Sequence, residues 1–293
     1  MELTKLGEKT YCIQNPTNIG IYKLDDEKVC LIDTGNDKES GRKILKIINE
    51  QNWQVECIIN THSNADHVGG NKFIQDRTNC KILSSKIETT IINNPELEPA
   101  FLYGAMPLNE LNNKFLLAKE SNCQVIDNNL PKGLEYFTLK GHFIDMIGIK
   151  TSDNIYFLGD SIFSEETINK YHIFFIYDVE KYLQTLDFLE TLNGTFYIPS
   201  HVKPLTDLKE LIKINKNKIN EIYNNILSFC QNPITTEKII KNIFDTYNLE
   251  ININQYALLG STIKSYLTYL NNQDKIEYFF NDNQLYWTIK KGE

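Results

Sequence analysis

Hydrophobic and polar positions change period several times along this chain, and the changes mark its elements. Residues 10–15, 18–24 and 28–33 are short runs rich in β-branched and aromatic side chains, which predicts three strands. Asp25-Asp26-Glu27 supplies a polar hairpin turn between the last two. Val29-Cys30-Leu31-Ile32 is apolar without a break, the pattern of a central strand buried on both faces, and it stops at Asp33-Thr34-Gly35. From Asp37 to Asn52 the period lengthens, with Ile44, Leu45, Ile47 and Ile48 at helical spacing. Val55 to Asn60 predicts the next strand, which ends at Thr61-His62. A helix near 70–78 and a strand over 81–84 follow.

Residues 92–122 are less regular. Pro95 and Pro99 precede Phe101-Leu102-Tyr103-Gly104-Ala105-Met106-Pro107, which reads as an insertion carrying apolar side chains over something. Strands resume at 123–126, 134–139, 145–151 and 154–158, the last stopped by Gly159-Asp160. Asp178 is placed to cap a helix over 178–192, and a strand over 195–198 runs into Pro199-Ser200-His201. A long polar-faced helix covers 205–230. Thr235-Thr236-Glu237 then opens a helix, another spans about 256–270, and Ile276–Phe280 pairs with Gln284–Ile289 around Asn281-Asp282-Asn283. Strands alternating with helices predict an α/β fold over 1–204, followed over 205–293 by a linker helix and a smaller α+β module whose helices and hairpin have the layout of a winged helix.

Composition narrows the function classes. The 293 residues are 41% hydrophobic and 23% charged, which suits a globular chain with a sizeable core and excludes collagen-like or broadly disordered readings. Thirty basic against 38 acidic residues give a net charge of −8. All of that excess lies in residues 1–204, because residues 205–293 hold ten Lys and ten Asp+Glu. The three lysines Lys213, Lys216 and Lys218 read as the solvated face of helix 205–230, not as a basic stripe, and this weighs against a nucleic-acid partner. No stretch approaches the ~18 apolar residues of a membrane helix. The first residues lack the layout of a signal peptide. The six cysteines are scattered, with no Cys-x-x-Cys pair, as expected of buried free thiols in a reducing cytoplasm.

Histidine is the scarce residue, with five in the chain. His62 and His67 fall with Asp66 in Thr61-His62-Ser63-Asn64-Ala65-Asp66-His67-Val68-Gly69-Gly70, a loop after a buried strand. Imidazole and carboxylate donors clustered in this way suit a borderline divalent metal. His142, Asp160 and His201 each lie where a strand gives way to a loop, so one sheet edge could gather them all, leaving only His172.

With His62-x-Asn64-x-Asp66-His67, and with Asp33-Thr34-Gly35, Gly141-His142, Gly159-Asp160 and Ser200-His201 in order, the chain resembles the metallo-β-lactamase-fold hydrolases. The resemblance spans essentially the whole chain and is strongest to the members with a C-terminal winged helix. These include a mitochondrial β-lactamase-like endoribonuclease and glyoxalase-II-like proteins. It implies an αβ/βα sandwich of two mixed sheets flanked by helices. It also implies that His62 and His142 serve a first metal, that Asp66, His67 and His201 serve a second, and that Asp160 bridges them. Asp66 would orient the attacking water, and Asp33 would order the turn and support the metal loop. Zinc is the metal implied, with iron or manganese compatible with the same donors.

Asn64 departs from the family, which has a second His there. An amide oxygen is a neutral and harder donor, so one zinc is expected to bind firmly and the other weakly or not at all. Phe143-Ile144-Asp145 after His142, and Val202 after His201, are further departures that reshape the wall of the site. Phe101, Tyr103 and Met106 are expected to line a substrate pocket. The reading that follows is a cytoplasmic metal-dependent hydrolase of a small ester, thioester or lactone, with room for a homodimer and no membrane partner. The alternatives are a nuclease or phosphodiesterase, and a catalytically degenerate metal-binding protein.

Overall fold

A computed structural model of the chain describes residues 1–291. The first half builds a seven-stranded sheet from β1 (Glu2–Lys5), β2 (Thr10–Gln14), β3 (Ile19–Lys23), β4 (Lys28–Ile32), β5 (Gln54–Ile59), β6 (Lys81–Ser84) and β7 (Cys123–Val125), in that spatial order. Pairing is antiparallel from β1 to β4 and parallel from β4 to β7. Helix α1 (Lys38–Glu50) crosses from β4 to β5, capped by the Asp37 carboxylate on the Ser40 amide. The metal-motif loop holds the short α2 (Ala65–Val68), and α3 (Asn71–Thr78) leads into β6.

The strands β4 and β5 are apolar through most of their length because both of their faces are covered. Val29, Leu31 and Ile58 point toward Ile44, Ile48 and Ile74 of the helices on one side. Cys30, Ile32, Cys57 and Ile59 point to the other, where they meet Ile147, Ile149, Ile155, Phe157 and Ile198. Those residues belong to a second, four-stranded sheet. The two-residue period of a strand thus fills two cores at once. All six cysteines are buried and free.

Two helices lie on the path to β7, α4 (Lys86–Asn93) just ahead of the irregular stretch and running into its start, and α5 (Leu97–Tyr103) within it. The prolines obscure them in the sequence, yet Pro99 lies at the third position of α5, inside the first turn where proline costs no hydrogen bond. The second sheet comprises β8 (Leu134–Thr138), β9 (Ile147–Thr151), β10 (Ile155–Gly159) and β11 (Phe196–Pro199), with β10 and β11 parallel. Between those two run α6 (Glu165–Tyr171), capped by Ser164, and α7 (Val179–Leu189), capped by Asp178. Neither β1 nor α6 is predicted from periodicity, since each is too short to show one.

The C-terminal segment is α8 (Lys209–Phe229), α9 (Thr236–Thr246), α10 (Ile253–Asn272) and the hairpin β12 (Ile276–Asn281) with β13 (Gln284–Ile289). Helix α10 begins three residues before the expected position because Asn252 caps it on the Gln255 amide. One continuous core joins Met146, Tyr156 and Leu158 of the second sheet region to Ile212, Ile219, Ile243, Ile263 and Ile276. Lys216 and Lys218 are not free in solvent: Lys216 pairs with Asp187 and Glu190 at the end of α7, and Lys218 with Glu221. No helix among the described residues is long and apolar enough to cross a membrane.

Candidate metal centre

Asp66 and His67 sit in α2, and the other expected residues stand in loops that follow strands. Asp33 follows β4, His62 follows β5, Asp160 follows β10 and His201 follows β11, while His142 lies in the loop from β8 to β9. Asp33 sits in the left-handed region at φ 61° and accepts from the Thr61 amide and Thr61 Oγ1, both at 2.8 Å, and from His67 Nδ1 at 2.8 Å. The Thr34 amide donates to the His67 carbonyl at 2.8 Å, and Thr34 Oγ1 to Asn71 Oδ1 at 2.9 Å. These bonds pin the motif loop to the end of β4.

The approach is so close that Gly69 is required. A Cβ there would lie 2.1 Å from the Asn36 carbonyl oxygen. Gly69→Ala should therefore push the two loops apart and lower stability by about 3 kcal/mol, measured by urea unfolding of the metal-stripped protein. A loss below about 0.5 kcal/mol, the scale of an innocuous surface change, would contradict this.

Four imidazoles are held by Nδ1 and turn Nε2 inward. Nδ1 of His67 donates to Asp33, that of His142 to the Phe175 carbonyl at 3.0 Å, and that of His201 to the Pro16 carbonyl at 2.6 Å. Thr61 Oγ1 gives its own proton to Asp33 and so accepts from His62 Nδ1 at 3.0 Å. In the neutral ring each Nε2 then carries a lone pair. His67 Nε2 lies 3.2 Å from Asp160 Oδ1 and 3.6 Å from Asp66 Oδ2. His201 Nε2 lies 3.1 Å from Asp160 Oδ2 and 3.4 Å from Asp66 Oδ2. His142 Nε2 is 3.7 Å from Asp160 Oδ2.

Lone pairs aimed at carboxylate oxygens repel unless a cation joins them. His62 Nε2, His67 Nε2 and Asp160 Oδ1 are buried with no hydrogen-bond partner. Two sets, His62–His67–Asp160 and Asp66–His67–His201, bring one donor atom from each residue within 4.8 Å of the others. Nitrogen and oxygen donors in this arrangement fit a divalent metal of the zinc type. Electrostatics agree. Burial holds the His62 pKa well below the usual histidine value and lowers that of His142, so both rings keep their lone pairs. Burial also opposes charge on His67 and His201, but Asp66 and Asp160 outweigh it and raise both well above that value. The carboxylates thus call for positive charge. The fifth histidine, His172, lies elsewhere, stacked on Tyr247 at 4.8 Å.

Two buried glutamates complete the centre, and neither is among the residues expected from sequence. Glu88 Oε2 accepts from the Ser63 amide and hydroxyl, and its Oε1 from the Asp145 amide, tying the motif loop to the His142 loop. Glu98 Oε1 accepts from Asn64 Nδ2 at 2.6 Å. The available signal for Glu88 is an acid three and four positions before Ile91 and Ile92, on the buried face of α4.

Burial raises the Glu88 pKa from 4.5 to about 7, against the bonds from Ser63 and Asp145. The folded chain therefore keeps this proton where the unfolded chain has lost it, between pH 4.5 and about 7. Stability from Glu88 is present below pH 4.5 and falls as pH rises through that window, by about 3 kcal/mol. Urea unfolding with chelator should show this loss in the wild type and not in Glu88→Gln. Parallel pH profiles would refute it.

The apolar wall differs in part from the expected one. Phe101 is half-exposed, with its ring 6.1 Å from Phe143 and 5.6 Å from Tyr177. Tyr103 packs on a cluster of Leu102, Leu111, Leu116 and Ala257, and Met106 is 86% exposed. A cavity of about 600 Å³ reaches His201 and is lined by Phe163, Phe174, Phe175, Gln255, Leu258 and Leu259, not by Phe101, Tyr103 or Met106. In the sequence, helix α10 belongs to a separate module, so periodicity cannot assign its side chains to the site. Phe143 is fully buried, and Val202 receives Asn18 Nδ2 on its carbonyl at 2.6 Å.

Known proteins share this architecture. A beta-lactamase domain protein from Burkholderia ambifaria superposes with a TM-score of 0.73 at 14% identity, over 98% of this chain and 93% of its own. A metallo-beta-lactamase family protein from Thermus thermophilus gives 0.72 at 16% identity, over 97% and 100%. A metallo-beta-lactamase from Pontibacter korlensis gives 0.52 at 17% identity, over 75% of this chain and 98% of its own. The first two alignments extend through the C-terminal helices and hairpin, whereas the third covers a shorter span. At the level of sequence, the model of the Metallo-beta-lactamase superfamily matches residues 13–201, which run from β2 to the last inward-facing histidine. With that match covering well over half its length, the chain belongs to the metallo-beta-lactamase superfamily.

Proposed function

We propose that the protein is a metal-dependent hydrolase of a small ester, thioester or lactone with an apolar portion. The observation that carries this reading is the convergence of imidazole Nε2 atoms on Asp160 and Asp66, one of them, that of His201, belonging to a residue that also lines an apolar cavity. Asp66, His67 and His201 are read as the firm zinc site and His62 and His142 as the weaker one, with Asp160 shared between them. A divalent metal bound there supplies Lewis acidity toward the scissile carbonyl and a water that ionises near neutral pH.

The chain's own residues divide the remaining work. Asp66 is the most open carboxylate of the centre, its side chain 33% exposed, and Thr17 Oγ1 donates to its Oδ2 at 3.1 Å. It is read as the residue that orients the attacking water. Asp33 holds His67 by Nδ1, which fixes the ring. Phe163, Phe174 and Phe175 exclude water from one side.

The C-terminal helices and hairpin are read as winged-helix-like, closing the cavity through Leu258 and Leu259 without binding nucleic acid. The pairing of Lys216 and Lys218 with acids supports that reading. The test is a panel of thioesters, lactones and carboxylic esters of increasing acyl length, with Asp66→Ala as control. Turnover should rise with acyl length and vanish in the control. Cleavage of labelled RNA with no turnover on the panel would overturn the proposal.

A further inference from the structure

We infer that Glu98 is a positioning residue: it sets the Asn64 amide so that Oδ1 becomes an oxygen ligand beside His142. The inference rests on the metal-binding reading above but not on hydrolysis. Asn64 stands at the N-cap of α2, where an asparagine side chain ordinarily takes an amide of its own helix, and it makes no such bond. Its Nδ2 instead donates to Glu98 Oε1 at 2.6 Å, and its Oδ1 lies 3.2 Å from His142 Nε2.

That second contact is not a hydrogen bond of a neutral ring. His142 Nδ1 already donates to the Phe175 carbonyl, so Nε2 bears a lone pair, and an amide oxygen is an acceptor. Two acceptors 3.2 Å apart are reconciled by a cation that both can ligate. Glu98 is 3% exposed, and its side-chain bond goes to this amide. Either protonation state of Glu98 leaves an oxygen to accept. Packing of Leu102 in the cluster with Ala257 seats α5 and so places Glu98.

The consequence is a His62–His142–Asn64–Asp160 set, two nitrogens and two oxygens. Such a set is harder than one with a third imidazole, so it favours Mn²⁺ over Zn²⁺ more than the Asn64→His chain would.

The experiment titrates ZnCl₂ or MnCl₂ into the chelator-stripped full chain by calorimetry. Wild type should show a tight and a weak binding event. Glu98→Met, which removes the acceptor, should weaken the weak event about tenfold and leave the tight one within about twofold. Glu98→Gln keeps an acceptor oxygen and should stay within about threefold of wild type in both. Asn64→His should shift the weak event toward zinc. If Glu98→Met fails to unfold cooperatively, Asn64→Ala takes its place and should show the same selective loss. An unchanged or tighter weak event, an equal fall in both events, or a single event at millimolar Mn²⁺ overturns the inference. Two metals bound with no hydrolysis of any panel substrate would remove the hydrolase reading and leave this one intact.

Discussion

Asp160→Ala should empty the centre of metal. Its two oxygens lie within 3.1 to 3.7 Å of Nε2 of His67, His142 and His201, so one substitution removes the carboxylate that faces three imidazoles. Burial opposes the charge of Asp160, yet His201 and His67 hold its pKa well below the ordinary carboxylate range. It is thus the fixed negative charge around which the centre is built. Metal affinity is expected to fall by more than the ~10–100-fold seen when a supporting group is lost. Hydrolysis should fall about a thousandfold, equivalent to several kcal/mol of Lewis-acid stabilisation. Elemental analysis of the purified protein checks the first and initial rates the second. His172→Ala is the control, since that ring stacks on Tyr247 away from the cluster. Full metal content in Asp160→Ala, or an equal loss in His172→Ala, would refute this account.

Asp33→Ala should combine a folding defect with a metal defect. Three donors, the Thr61 amide, Thr61 Oγ1 and His67 Nδ1, would lose their acceptor inside the protein. Each buried donor left unpaired costs about 1–3 kcal/mol, so a total near 4 kcal/mol is expected. His67 would also be free to turn, which should weaken metal binding by about 10–100-fold. Asp33→Asn tolerates the left-handed backbone and retains one acceptor oxygen, so it should fall between wild type and Asp33→Ala. Urea unfolding in chelator separates the first effect from the second. A stripped Asp33→Ala chain as stable as wild type would show that the Thr61 and His67 bonds contribute nothing.

Much of this centre is legible in the sequence because its donors cluster where strands end. A chain whose strands stop at Asp33, His62, Asp160 and His201 must present those residues at sheet edges. Only the sheet order is needed to bring them together. Asp33 is readable for the same reason, as an acid directly after a buried strand. Glu88 and Glu98 are not, because each is a single acid in a helix of eight residues or fewer, where periodicity has too few turns to declare a buried face. The cavity wall is hidden because apolar character says which residues avoid water and not which neighbour they avoid it with. Leu258 and Leu259 reach the cavity at His201 from more than fifty residues away, and Met106, in the most apolar loop of the insertion, is left in solvent.

The unbroken core between the second sheet and the C-terminal helices decides how the molecule comes apart. Met146, Tyr156, Tyr182 and Leu186 share it with Ile212, Ile243 and Ile263, so neither side owns a closed interior. A chain ended at residue 204 would leave to water the faces of α6 and α7 that pack on α8 and α10. Melting should accordingly be a single cooperative transition in which the metal centre and the C-terminal helices are lost together. Metal bound at the centre would then protect the amides of α9 and α10 from hydrogen exchange.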